Sequence, residues 1–207
     1  MDINLFIQKR PYLYHLTDSR NLPNILATGR LLSTRAILEE SDHDDIEGYL
    51  RTRRPDHSEI TINGFTHHVR DQRPISEVVL SRSLTHNWTS GDFIAHLNSR
   101  VFLWPTVSRL ERHFKRYENE QPVIMRFNTA DVLEVNTAEF CRLNSGATRC
   151  SSHWDGNAPE RGADTFQIAD VYPGNPASVA EVTIPNICTL PENFWTSNTP
   201  QGPWTAN

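Results

Sequence analysis

The chain has 207 residues, 37% of them hydrophobic and 22% charged, which suits one folded domain with a core and excludes wholesale disorder. A formal charge of -5, from 20 Lys and Arg against 25 Asp and Glu, leaves out the overall basic footprint of a duplex-binding protein. No window approaches the roughly 18 apolar residues of a membrane span, and the N-terminus lacks the charged-then-apolar layout of a secretion signal. A cytoplasmic protein with no membrane partner is the expectation.

Three cysteines, Cys141, Cys150 and Cys188, are an odd number thinly spread and read as reduced thiols. Cys141, Cys150 and His153 lack any CxxC pair, so no metal is expected. Neither GxGxxG nor GxxxxGK[ST] occurs, which removes the usual phosphate-cradling loops.

In chain order, Tyr12 to Leu16 reads as a short buried strand. Asp18 or Ser19 then caps a helix with Leu22, Ile25 and Leu26 at helical spacing and Gly29 as its stop. A second helix is predicted over Ser33 to Glu40. The polar, charged stretch 41 to 64 reads as a surface excursion, a mobile loop over a site. "ISEVVLSRSL" predicts a helix with Ile75, Val78, Val79 and Leu84 on one side, and "TSGDFIAHLN" another, capped by Thr89 or Ser90.

"RVFLWPT" is a dense apolar run closed by proline, hence a core strand, and "SRLERHFKRY" is an amphipathic helix. "PVIMRFNT" predicts a strand followed by the small unit "ADVLEVN". Residues 141 to 162 read as a long loop, and "TFQIADVY" and "VAEVTIP" as two strands. Residues 191 to 207 predict an extended polar tail that docks its two tryptophans on a domain spanning 1 to 190. Helices early and strands late give an α+β class rather than a doubly wound one.

Three separated pieces carry groups capable of chemistry. His15 and Thr17 share one face at the end of the first strand. Asn98 and Arg100 flank the start of "RVFLW". Glu181 lies inside an apolar strand, where a carboxylate must be solvated or partnered. Strand alternation alone leaves both readings of Glu181 open.

The stretch "YHLTDSRNLPNILATGRLLS" is similar to the opening of the DarT-like family of ADP-ribosyltransferases, with its histidine-x-threonine strand, "NLPSIL"-like helix and "GLLS"-like exit. "VAEVTIPNI" resembles that family's strand bearing the catalytic glutamate. The resemblance covers about a fifth of the chain; the middle departs, with no "RSPM"-like run.

The resemblance implies a split, bent, mixed sheet that holds NAD as substrate. His15 and Thr17 would bind it and Glu181 would be the catalytic carboxylate. An arginine fork suits the pyrophosphate, and Arg70 is the first candidate, grouped with Glu181 in the catalytic set, with Arg100 and Arg73 following. Tyr14 and Trp104 are candidates to stack on a base, and Asn98 joins the cofactor-binding set. The implied activity is mono-ADP-ribosylation of a macromolecule, a DNA or RNA base foremost, by a toxin or phage-defence effector with an antitoxin or immunity partner. The alternatives are an NAD glycohydrolase and a non-catalytic module that binds NAD, ADP-ribose or nucleic acid.

Overall fold

The computed structural model of the protein describes residues 1–148 and 159–207. Cys150, His153 and the middle of the long loop expected over 141 to 162 lie outside them. The architecture is α+β with antiparallel sheets, as the element order predicts.

Helix α1 (Ile3–Lys9) starts where the Asp2 side chain accepts the Leu5 amide. Strand β1 (Tyr12–Asp18) follows. The Asp18 carboxylate accepts the Arg20 amide and opens a 3-10 turn, Ser19–Asn21, that leads into α2 (Leu22–Thr28). Gly29 at φ +64° ends that helix as the sequence predicts, but the expected cap is corrected: Asp18 caps the 3-10 turn, Asn21 holds the cap position of α2 with proline in its first turn, and Leu26 is exposed. Strand β2 (Arg30–Leu32) and helix α3 (Thr34–Glu39), capped by the Ser33 hydroxyl, come next.

The segment expected to be a mobile excursion is instead ordered. It contains α4 (Ile46–Arg51) and a hairpin of β3 (Ser58–Ile62) and β4 (Phe65–Val69), which turns at Asn63 and Gly64, both at positive φ. Asn-Gly suits such a tight turn because both residues tolerate the left-handed region. Ile60, Ile62 and Val69 pack with Ile37, Leu38, Leu50 and Ala95 into a satellite core that holds the segment down.

Helices α5 (Glu77–Ser81) and α6 (Ser90–Asn98) precede β5 (Arg100–Leu103). The stripe predicted for α5 is corrected: Val78 is 63% exposed, while Leu80 is fully buried. Thr89 and Asp92 form a capping box on α6. After α7 (Val107–Tyr117) come β6 (Pro122–Asn128), α8 (Thr129–Val135) and β7 (Glu139–Cys141). The remaining strands are β8 (Glu181–Pro185), β9 (Ile187–Thr189), β10 (Phe194–Ser197) and β11 (Thr205–Ala206).

"TFQIADVY" is not a strand. It touches β7 at the single bridge Phe140–Gln167, and then the Val171 and Tyr172 amides turn back onto the Ile168 carbonyl. That curl buries Phe166 in the cluster under α5 and α6 and Tyr172 in the main core, although an extended strand would leave residues six apart on one face.

The C-terminal residues are also corrected from tail to sheet. β10 pairs with β6 and β11 with β10, so one sheet runs β1-β6-β10-β11. Both indoles dock as expected, on Arg126: its guanidinium lies 4.8 Å from the Tyr12 ring, 4.7 Å from Trp195 and 4.4 Å from Trp204.

A second sheet runs β5-β8-β7, and β2 pairs with β9. Val101, Leu103, Val182, Ile184 and Phe140 face the main core with Leu13, Met125 and Phe127. The opposite face of β5 and β7 meets α5 and α6 through Phe102 and Cys141. Helix α7 covers Tyr14, Leu16 and Ile124 on the outer face of β1 and β6.

Candidate functional site

The strands that carry His15 and Glu181 flank one strand, β5. β1 meets β5 at a single bridge, where Tyr14 and Trp104 exchange both backbone hydrogen bonds, at 3.0 and 2.8 Å. Continued at that register, the ladder would next bring the Leu16 amide to the Phe102 carbonyl. His15 Nδ1 donates to that carbonyl instead, at 2.9 Å. A side chain thus takes the backbone's place, and the two strands part.

This bond sets the chemistry of His15. A carbonyl only accepts, so Nδ1 carries the proton and Nε2 of the neutral ring is an acceptor. Burial lowers the pKa of the ring below its usual value, partly offset by the Phe102 bond. Among the described residues, nothing hydrogen-bonds Nε2.

Thr17 shares that side of the strand and accepts from Asn21 Nδ2 at 3.0 Å. Asn21 is in turn fixed to β4 by both backbone groups of His68. Tyr14 projects to the other face, into the core with Leu110 and Tyr117, so alternation separates it from His15 and Thr17.

Glu181, the first residue of β8, is only 6% exposed. Its Oε2 accepts the Ser145 amide at 3.1 Å and the Ser145 hydroxyl at 2.7 Å, and Arg161 Nε donates to the Ser145 carbonyl at 3.1 Å. Burial raises its pKa from 4.5 to about 7, against the pull of the Ser145 bonds and the Arg109 and Arg161 charges. Near neutrality the group is therefore divided between acid and carboxylate. Replacing Ser145 by Ala removes one of the stabilising bonds and is expected to move any Glu181-dependent limb of a pH–rate profile upward by about one pH unit. An unmoved limb would assign that limb to another group.

The register Leu103–Val182 places Glu181 opposite Trp104, the bridge residue. The backbones at His15 and Glu181 thus stand two strand spacings apart, about 10 Å, but Glu181 shares the face of Trp104 and Tyr14, so strand alternation directs the His15 and Glu181 side chains to opposite faces of the sheet. Helix α7 lies over the Tyr14 and Trp104 face. The Arg109 charge reaches Glu181, and His113, four residues on and so on the same helix face, stacks on Trp104 at 4.4 Å. His113 also lies within electrostatic reach of His15 and Arg70.

Arg70 sits at the β1 side of this group. It donates to the Glu120 carboxylate at 2.8 Å and carbonyl at 3.2 Å, approaches Asp18 at 3.6 Å and lies 4.7 Å over the Tyr117 ring. Its buried Nε has no partner. The arginines whose charges act on Glu181 are Arg109 and Arg161, which the sequence reading missed.

Asn98 and Arg100 are corrected. Asn98 Oδ1 accepts from Arg54 and Gln72 at 3.0 and 2.9 Å, and its Nδ2 donates to the Leu50 carbonyl at 2.7 Å. Arg100 pairs with Glu139 at 2.9 Å and lies over the Phe166 ring. Both are spent on packing, away from His15. Arg73 pairs with Asp56 at 3.1 Å on the surface. Cys141 and Cys188 are free and buried, and burial pushes both thiols up, Cys188 to about 12, so neither is a ready nucleophile.

The net charge conceals a local asymmetry. Arg20, Arg35, Arg51, Arg70, Arg73 and Arg100 all pair with carboxylates. Arg10, Arg109, Arg112 and Arg142 have no carboxylate within 4.0 Å among the described residues; Arg109 feels the charges of Arg10 and Arg112, and Arg142 follows Cys141, the register partner of Glu181. A positive rim therefore surrounds the head of β8. No helix in the described residues is long and apolar enough to cross a membrane.

A family model described as "Family of unknown function (DUF7002)" matches residues 11–193. No curated protein and no solved structure gives a significant match.

Proposed function

We propose that this chain, which belongs to the DUF7002 family, transfers ADP-ribose from NAD to a nucleic acid. The buried Glu181, held by Ser145 beside Arg109 and Arg161, carries this reading. A neutral imidazole anchored through Nδ1 offers Nε2 to a ribose hydroxyl, and on the second strand over a carboxylate lies in a low-dielectric setting. The parted strands also suit the split sheet that the resemblance in "YHLTDSRNLPNIL" implies.

In the reaction the glycosidic bond of NAD breaks, its electron pair leaving on the nicotinamide nitrogen, and positive charge develops on the ribose carbon. The ionised Glu181 stabilises that charge, most effectively because burial excludes water. The acceptor then bonds that carbon, and its proton passes to the carboxylate or to water. Arg109 and Arg161 favour the ionised form.

The rim of Arg10, Arg112 and Arg142 supports a phosphate-bearing acceptor, since guanidinium groups whose charge no carboxylate balances suit phosphate oxygens. The test is incubation with labelled NAD and single-stranded DNA, RNA, cell protein or buffer alone. Label on nucleic acid is expected, at least tenfold less with Arg10, Arg112 and Arg142 all replaced by Gln, and with a shallower salt dependence. Free ADP-ribose alone would make the protein a glycohydrolase. Nucleotide binding without turnover would make it a binding module.

A further inference from the structure

The guanidinium of Arg126, on β6, is fixed by aromatic rings alone among the described residues. It lies 4.4 Å from the centre of the Trp204 ring, 4.7 Å from Trp195 and 4.8 Å from Tyr12. No carboxylate of the described residues comes within 4.0 Å of it. Its Nε is buried without a partner, whereas the two terminal nitrogens, which bond no described residue, reach solvent. Tyr12, Trp195 and Trp204 are themselves only half-buried, so the rings that hold the cation keep open surface.

Carboxylates fix Arg70 and Arg100 and balance their charge as well. Three rings fix Arg126 and leave its charge unbalanced. A fork held in advance with its outer donors free suits the oxygens of a phosphate, and open aromatic surface beside it suits an unpaired base.

The register carries this basket to the candidate site. Trp195 lies opposite Arg126, Arg126 opposite Tyr14 and Tyr14 opposite Trp104, and the pair Leu103–Val182 sets Trp104 opposite Glu181. Residues opposite one another share a face, so Arg126 and Glu181 stand on one face, three strand spacings or about 14 Å apart along the backbones. Between them α7 packs on Tyr14 and Trp104. Its exposed Arg112, Lys115 and Arg116 have no carboxylate of the described residues within 4.0 Å.

We propose that Tyr12, Trp195, Trp204 and Arg126 form an anchoring site for the acceptor: a single strand of nucleic acid seats a phosphate on the Arg126 fork and a base against the indoles, and crosses the basic surface of α7 toward Glu181. This rests on the nucleic-acid reading given above and adds the place where the strand is held apart from the reacting base.

The experiment is anisotropy titration of a labelled single-stranded oligonucleotide, and of its duplex, with wild-type protein, Arg126→Met and Arg126→Lys over a range of salt, beside side-chain NMR of the wild type. Met keeps an apolar stem among the rings, and Lys keeps a charge without the fork. Both variants are expected to bind the single strand about tenfold more weakly. For Met the slope of log K against log salt should flatten by about 0.7, the value of one phosphate contact on a single strand. In the wild type, whose folding no substitution disturbs, the indole N–H signals of Trp195 and Trp204 are expected to move with the single strand and less with the duplex or with inorganic phosphate. Indole signals that stay in place while the single strand binds would overturn the anchoring role, whatever the variants do, and leave the nucleic-acid reading standing. Equal movement with inorganic phosphate or duplex would overturn the single strand as occupant. Absence of single-strand binding by the wild type would overturn the nucleic-acid reading, and this inference with it.

Discussion

Replacing Glu181 by Gln is expected to abolish turnover of NAD while making the protein more stable above neutral pH. Gln keeps the shape and can still accept both Ser145 bonds through its carbonyl oxygen, but it carries no charge to offer a developing cation. Loss of one such fixed electrostatic group costs about 100- to 1000-fold in kcat. The stability change has the opposite sign. Burial raises the folded pKa from 4.5 to about 7, so folding takes up a proton wherever the unfolded chain has released it. Wild-type stability therefore falls as pH rises from about 4.5 to about 7 and is level beyond. The full difference is about 3 kcal/mol. The Gln variant has no such loss: melting curves should coincide near pH 4.5 and diverge by about 6–12 °C at pH 8, the variant higher. A gap that does not widen with pH would mean an ordinary solvated carboxylate at this position. The active form of the wild type is the ionised one, so its rate should rise with pH through about 7.

A residue that destabilises the fold at its working pH and is nevertheless present fits a site of function better than a site of packing. Arg100 differs in that Glu139 at 2.9 Å and the Phe166 ring offset part of the cost of its burial, although burial still lowers its pKa.

Elements written in local signals were legible in the sequence. β1, α2 with its Gly29 stop, α6 with its Thr89 cap and β8 all follow from neighbours within a few residues. The hairpin at Asn63 and Gly64 carried an equally local sign, with Ile60 and Ile62 alternating before the turn, but the acidic run upstream dominated the reading. The C-terminal strands had no local sign at all. β10 finds its place because Trp195 lies across from Arg126 some 70 residues earlier, and Trp204 closes over the same guanidinium. Pairing across such a separation is set by tertiary contacts, which propensity does not encode.

The candidate site divides along the same line. His15, Thr17 and Glu181 were found because short stretches around them resemble a known pattern. Ser145, Arg109, Arg161 and His113 were not, since each reaches the site from a different part of the chain. One clue existed for α7: Arg109 and His113 are four apart, hence on one face, yet "SRLERHFKRY" reads equally well as a solvated basic surface. Only the stacking of His113 on Trp104 shows that this face turns inward.

Replacing Asn98 by Leu should unfold the protein far more readily without touching the chemistry directly. Asn98 is 3% exposed and uses both ends of its amide, holding Arg54, Gln72 and the Leu50 carbonyl. It thereby ties α6 to α4 and to the chain on either side of the hairpin, where Gln72 and Arg54 also exchange bonds at 2.7 and 3.0 Å. Leu fills the volume and satisfies none of these. It leaves a buried guanidinium short of a partner, together with an amide and a carbonyl, at a cost of about 3–5 kcal/mol. Thermal unfolding should drop by about 10 °C. Asn98→Asp keeps an acceptor for Arg54 and Gln72 but turns a donor into an acceptor facing the Leu50 carbonyl, so it should fall between the two. NAD affinity measured well below the melting point should be unchanged in both variants. A variant that melts like wild type but no longer binds NAD would return Asn98 to the cofactor set from which its hydrogen bonds remove it.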